Sequence, residues 1–309
     1  MKDKGAKKEQ LLNALFGERT IEKTAGISFS AAVLFPTLLA LVFVVVIGAF
    51  GLRKIGYETT DWFAYCNFLL PQIAYALVAV LFFYLSRLPV REVVGKPALK
   101  YFLIALLLQF GLFSLSELNA YFIKFLENFG YQSPPIPIPS LDGFGFVGVL
   151  FVVAVLPAVF EEVVFRGIVL RGVKPFGTLL SVLLCGVLFS VFHQNPAQTV
   201  YQFFCGAAFA LLVLRSGSIF PTALAHFLNN AMVIAFAKFG SPVLPTPIVV
   251  ALIIASGLSL VCTLGYLLFF DKNGKAEKDK KRGVQFFLFA SVGIVVCVLS
   301  WFANLFGGI

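Results

Sequence analysis

Long apolar runs set the terms for this chain. They fall near 27–52, 63–85, 101–122, 144–170, 178–193, 200–214, 219–237, 248–270 and 284–306, and most approach or exceed the roughly 20 residues that a helix needs to cross the hydrocarbon core of a bilayer. With 60% of its 309 residues hydrophobic and 13% charged, the chain has too few polar groups to coat a soluble globule. We therefore expect an all-α, polytopic transmembrane helical bundle of about 8–9 spanning helices. The runs at 178–193, 200–214 and 219–237 are short or weakly separated, so the count is open by one.

The net charge of +9 does not point to nucleic acid, because Lys and Arg lie between the apolar runs rather than on one basic face interleaved with aromatics. They read as topology signals. Lys2, Lys4, Lys7 and Lys8, the segments 87–100 and 171–174, Arg215 and the tract 272–282 occupy alternate loops, which predicts a cytoplasmic N-terminus and an external C-terminus. Arg53 and Lys54 dissent mildly. The expected location is a cell membrane, multi-pass and of prokaryotic character.

The chain divides into a polar cytoplasmic leader at 1–26, N-terminal membrane helices with an external loop at 27–143, a core at 144–237, and C-terminal helices with a basic cytoplasmic loop at 238–309. The polar leader places the first apolar run too late for a short cleavable signal peptide. Within the external loop, Pro134-Pro135-Ile136-Pro137-Ile138-Pro139 favours a stiff polyproline II spacer. Five cysteines, Cys66, Cys185, Cys205, Cys262 and Cys297, lie in or beside apolar runs without C-x-x-C spacing, which argues against a disulfide framework or zinc knuckle. There is no phosphate loop, internal repeat or soluble catalytic domain, so any chemistry comes from the helices.

Three polar signatures interrupt the core: Glu161-Glu162-Val163-Val164-Phe165-Arg166, Phe189-Ser190-Val191-Phe192-His193 and His226-Phe227-Leu228-Asn229-Asn230. His193 and His226 are the chain's two histidines. Ionisable groups at membrane depth are costly and mark functional paths or centres. Carboxylate, imidazole and amide together are the inventory for activating a water and stabilising an oxyanion, which predicts a polar cavity embedded in the membrane. Glu162 and Arg166, four apart, share a helix face and pair, while Glu161 points about 100° away. Pro157 removes a helix hydrogen bond beside them, and Gly167 permits close helix approach. Phe189 lies one turn below His193; Asn230 lies one turn above His226, so that pair projects toward a common partner. Glu117 and Asn119 form a fourth polar spot, read as a helix contact.

Taken singly, each signature has a structural reading: an ion-pair staple, a buried histidine bonding two helices, an amide doing the same. In order and on successive apolar segments, E-E-x-x-x-R, F-x-x-x-H and H-x-x-x-N resemble the CPBP family, which comprises type II CAAX prenyl endopeptidases and Abi or bacteriocin-immunity-like proteins. The resemblance covers about 144–237. It implies an intramembrane endopeptidase acting on a membrane-associated peptide or protein, CAAX-like and lipidated or otherwise, within the lipid bilayer. On that resemblance Glu161 is the catalytic carboxylate, His193 helps it activate water, and His226 with Asn230 stabilises the oxyanion; Glu162, Arg166 and Phe189 support them.

Two other classes stay open: a catalytically silent immunity or scaffold protein, and a proton-coupled transporter. Zinc is a further alternative, because Glu161, His193 and His226 make a two-His, one-carboxylate set. No cofactor is the preferred reading, since Asn is a poor zinc ligand and a good oxyanion donor. One tension remains. Along straight helices Glu161, His226 and His193 lie at depths of ~15, ~10 and ~22 Å from the cytoplasmic turns, and tilt, the Pro157 kink or a dipping turn at 171–177 must close that spread.

Overall fold

The computed structural model describes residues 20–50, 56–133, 137–274 and 278–307. The residues of the leader before Thr20, Arg53 and Lys54, and the start of the proline run at 134–136 lie outside the described residues. The chain is a polytopic helical bundle. Among the described residues eight helices are long and apolar enough to span a membrane, and a ninth apolar helix is shorter. In chain order they are α1 (Ile21–Ala49), α2 (Asp61–Ser86), the short α3 (Val90–Val94), α4 (Lys100–Leu112) and α5 (Leu115–Glu127), α6 (Phe144–Val173), α7 (Thr178–Phe192), α8 (Thr199–Ser216), α9 (Phe220–Phe239), α10 (Thr246–Phe270) and α11 (Lys280–Phe306). α4 and α5 together make one span.

α1 starts at Ile21, so the last six residues of the segment read as a polar leader are its first turns. The physical reason is long-range. Glu22 is buried and paired with Arg282 of α11 at 2.7 Å, and the Thr20 side chain caps the Lys23 N–H. A charge that looks like leader in sequence is neutralised from 260 residues away.

The loops sort to two ends. At one end Ile219 N–H and Ser218 Oγ bond to Val94 O, Lys100 pairs with Asp271, and Asp279 N–H bonds to Pro175 O. These are the basic loops. At the other end Ser140 N–H donates to Asp61, Tyr131 to Asn195 and Lys238 to Asp142; the hydrogen bond and charge of Lys238 hold the Asp142 carboxyl below its usual range. If the basic end is cytoplasmic, single cysteines at Lys174 and Lys272, in a cysteine-free background, will be shielded from an impermeant thiol reagent in intact cells while one at Ser133 labels. The reverse pattern would invert the orientation.

α6 is not a plain α-helix. π-helical segments at Phe151–Val155 and Val163–Val169 flank the α-helical Leu156–Glu162, with Pro157 in its first turn. Pro157 has no N–H, so the carbonyl four residues earlier, Val153, loses its ordinary donor. Asn230 Nδ2 of α9 supplies one at 2.9 Å. Farther along α6, a Cβ on Gly167 would come within 2.7 Å of Val93 Cγ1, so the expected close approach is made to α3.

α7 and α8 form a tight hairpin. A Cβ on Gly206 would lie 2.9 Å from both Gly186 Cα and Phe189 Cβ, so both glycines are needed for this contact. With 15 residues, α7 extends only ~22 Å, short of the ~30 Å hydrocarbon core. Irregular backbone at membrane depth must then be satisfied by protein, and the turn after His193 is. Asn119 of α5 donates to Ala197 O at 2.8 Å and accepts from Tyr201 N–H at 3.1 Å; Asn304 of α11 donates to Gln194 O at 2.8 Å; Trp301 Nε1 donates to Thr199 at 2.8 Å. Asn119 is thus a helix contact, and it braces the His193 turn.

The core beneath is aromatic. Phe29 of α1 meets Phe165, Phe192 and Phe286 at centroid distances of 6.4, 6.0 and 6.2 Å, and Phe165 meets Phe189 and Phe192 at 4.8 Å each. These tilted and edge-on contacts tie α1, α6, α7 and α11 together behind the polar residues.

Candidate active site

α6, α7 and α9 bring the three signatures together. Glu162 is fully buried, and its Oε1 accepts from Arg166 Nη1 at 2.8 Å and from His226 Nδ1 at 2.9 Å. Two charged hydrogen bonds to one oxygen make this carboxylate a fixed element. Arg166 is held on its other side by the Cys205 carbonyl at 3.4 Å, and its guanidinium lies 4.3 Å from the centroid of Phe189 and 5.1 Å from that of Phe209. Aromatic faces are favourable for a desolvated cation.

Glu161 differs from its neighbour. Its side chain is 14% exposed against 0% for Glu162, and Oε2 stands 3.9 Å from His226 Nε2, beyond hydrogen-bond range. Adjacent carboxylates therefore have opposite conditions: one locked, one open.

The imidazoles are oriented by what their Nδ1 atoms touch. His193 Nδ1 is 2.7 Å from Phe189 O. A carbonyl can only accept, so Nδ1 carries the proton, and in the neutral ring the lone pair sits on Nε2. His226 Nδ1 is fixed by Glu162, which turns Nε2 toward Glu161.

Phe189 links the two histidine signatures. Its ring makes edge contact with both imidazoles, 4.7 Å from His193 and 6.2 Å from His226 by centroids. One phenylalanine therefore lies against Arg166, His193 and His226 at once.

Asn230 sits one turn beyond His226, with one N–H on Val153 O and Oδ1 accepting from Asn229. Sequence reasoning gave no role to Asn229, Tyr201 or Gln109. Tyr201 Oη donates to Asn229 Oδ1 at 2.7 Å and Gln109 Nε2 donates to it at 3.1 Å. A lone glutamine in the apolar run 101–122 was the available signal.

Zinc needs three convergent protein ligands. Among the described residues no three His, Cys, Asp or Glu side chains converge in that way, while the bonds at both Nδ1 atoms leave both Nε2 atoms available.

No curated protein and no solved structure matches the chain. Residues 143–232 match the family model described as Rce1-like, type II CAAX prenyl endopeptidase. The matched stretch holds every residue of the three motifs, and it supports both the CPBP resemblance that they carry and a membrane protease.

Proposed function

We propose that the protein is an intramembrane endopeptidase that cleaves near the end of a membrane-associated, CAAX-like lipidated peptide. The observation that carries this reading is the opposite condition of the two adjacent carboxylates. Glu162, paired with Arg166 and His226, is committed to structure, which leaves Glu161 open beside an imidazole.

In this mechanism Glu161, with His193 Nε2 as its acceptor partner, takes a proton from water as the oxygen attacks the scissile carbonyl carbon. The carbonyl π electrons move to oxygen. His226, held at Nδ1 by Glu162, presents Nε2–H in its protonated form, and the second Nδ2–H of Asn230 joins it as an oxyanion donor. Collapse of the tetrahedral intermediate breaks the C–N bond, and the proton taken from water passes to the leaving nitrogen. The exposed apolar surface fits the substrate class. A groove of ≈ 380 Å³ lined by Leu69, Ile73, Leu77, Phe151 and Phe160 runs between α2 and α6, and Phe160 is the residue before Glu161.

The test uses purified protein in proteoliposomes with a prenylated, internally quenched CAAX peptide. Cleavage is expected to persist after chelator dialysis, with well under one zinc per chain by elemental mass spectrometry. Stoichiometric zinc, with activity lost on its removal and restored on its return, would replace the glutamate mechanism with a metallopeptidase one. No cleavage in either state would remove the peptidase reading for this substrate class.

A further inference from the structure

The Asn230 amide is held in one sense, and the groups that hold it lie outside the catalytic set. The chain of amides starts at a backbone carbonyl, which can only accept. Val153 O takes a hydrogen bond from Asn230 Nδ2 at 2.9 Å, so Oδ1 is the opposite end of that amide, and whatever faces it must donate. Asn229 Nδ2 does so at 3.1 Å. This turns Asn229 Oδ1 away, to accept from Tyr201 Oη and Gln109 Nε2 at 2.7 and 3.1 Å.

The sense then propagates to Gln109. Its Oε1 is buried with no hydrogen-bond partner in a residue only 2% exposed. Turning that amide over would set two acceptor oxygens against each other at Asn229, so the orphan oxygen stays at the far end of the chain, away from the site.

We propose that Asn229, Tyr201 and Gln109 are positioning residues. Together with Val153 O they hold the Asn230 amide in one sense, so that its second Nδ2–H, and not Oδ1, meets the developing oxyanion. The proposal rests on Asn230 being an oxyanion donor. A turned amide would present oxygen to oxygen at the moment charge develops, which is why orientation affects the chemical step and leaves substrate binding unchanged.

Two readouts separate the proposal from that premise. The first needs no substrate: hydrogen exchange of the Asn230 side-chain amide, followed by NMR of protein labelled with ¹⁵N-asparagine in detergent micelles. Tyr201→Phe, which deletes one hydroxyl, and Asn229→Ala should each lower its protection about tenfold, a shift of the kind expected when one ordering hydrogen bond of about 1.4 kcal/mol is lost. The second is cleavage of the quenched prenylated peptide. Both variants should lower kcat roughly tenfold, part of the ~10²–10³ that a whole oxyanion donor contributes, with KM unchanged and little further loss when added to Asn230→Ala. Thermal unfolding of each variant serves as the folding control, and Gln109→Leu replaces Asn229→Ala if that variant does not fold.

Wild-type protection in both variants would overturn the proposal. So would a loss of kcat that persists undiminished in the Asn230→Ala background, because the residues would then act by another route. If Asn230→Ala itself keeps the wild-type kcat, the donor premise fails, and with it the catalytic part of the proposal; the exchange data then decide whether the amide is oriented as described.

Discussion

Glu161→Gln is expected to abolish cleavage, by roughly the 10²–10⁴-fold that a general base contributes, and to leave thermal unfolding near that of the wild type. The side chain is partly exposed and stands 3.9 Å from His226 Nε2, so the swap removes a proton acceptor without opening a cavity or breaking a short hydrogen bond. Glu162→Gln is its counterpart and should act through stability, since that carboxylate carries two short bonds. Rates of cleavage and melting temperatures, measured side by side, check the pair. Equal cleavage by the wild type and Glu161→Gln would remove the enzyme assignment and favour a silent scaffold built on the same fold.

Arg166→Ala should be the most destabilising single change in the site, by about 3–5 kcal/mol. The Arg166 and Glu162 side chains are 1% and 0% exposed, so truncation leaves a carboxylate charge buried with His226 as its remaining ion partner. Lysine should not restore stability, because an ammonium lacks the planar face that lies on Phe189 and Phe209 and cannot span Glu162 and Cys205 O together. Joint replacement, Glu162→Gln with Arg166→Met, should recover part of the loss because neither charge is then stranded. Chemical unfolding in detergent reads the order of stability, and a wild-type midpoint for Arg166→Ala would contradict the role given to the pair.

Local relationships were legible in the sequence. The spacing of Glu162 and Arg166 dictates a shared helix face, and their bond is there at 2.8 Å. Among the described residues the nine apolar runs are helical, that at 101–122 as the two helices α4 and α5, because backbone in lipid has few other ways to satisfy its polar groups. What could not be read was anything closed by distant partners. His226 reaches Glu162 across 64 positions, and no periodicity announces which nitrogen it uses. Pro157 signals that one carbonyl loses its donor; that Asn230 is the replacement depends on how α9 packs against α6. Asn119 looked like an ordinary helix contact because the shortness of α7 becomes meaningful only once its turn is seen to need polar partners from α5 and α11.

The two π segments of α6 give the acidic pair an azimuth of its own. An α-helix turns about 100° per residue, and a π segment carries more residues per turn than the helix around it. Each π segment therefore resets the angular phase of the residues beyond it. The turns before Phe151, where Phe146 meets Phe239 of α9 edge-on, and those from Val163, where Phe165 meets Phe29 of α1 edge-on, are clocked by their own neighbours. Leu156–Glu162 between them takes its bearing from its own bonds, those of Glu162 to Arg166 and to His226 of α9. Loss of one residue within either π segment would swing the carboxylate by about 100°, more than a quarter of a turn, relative to the flank beyond that segment.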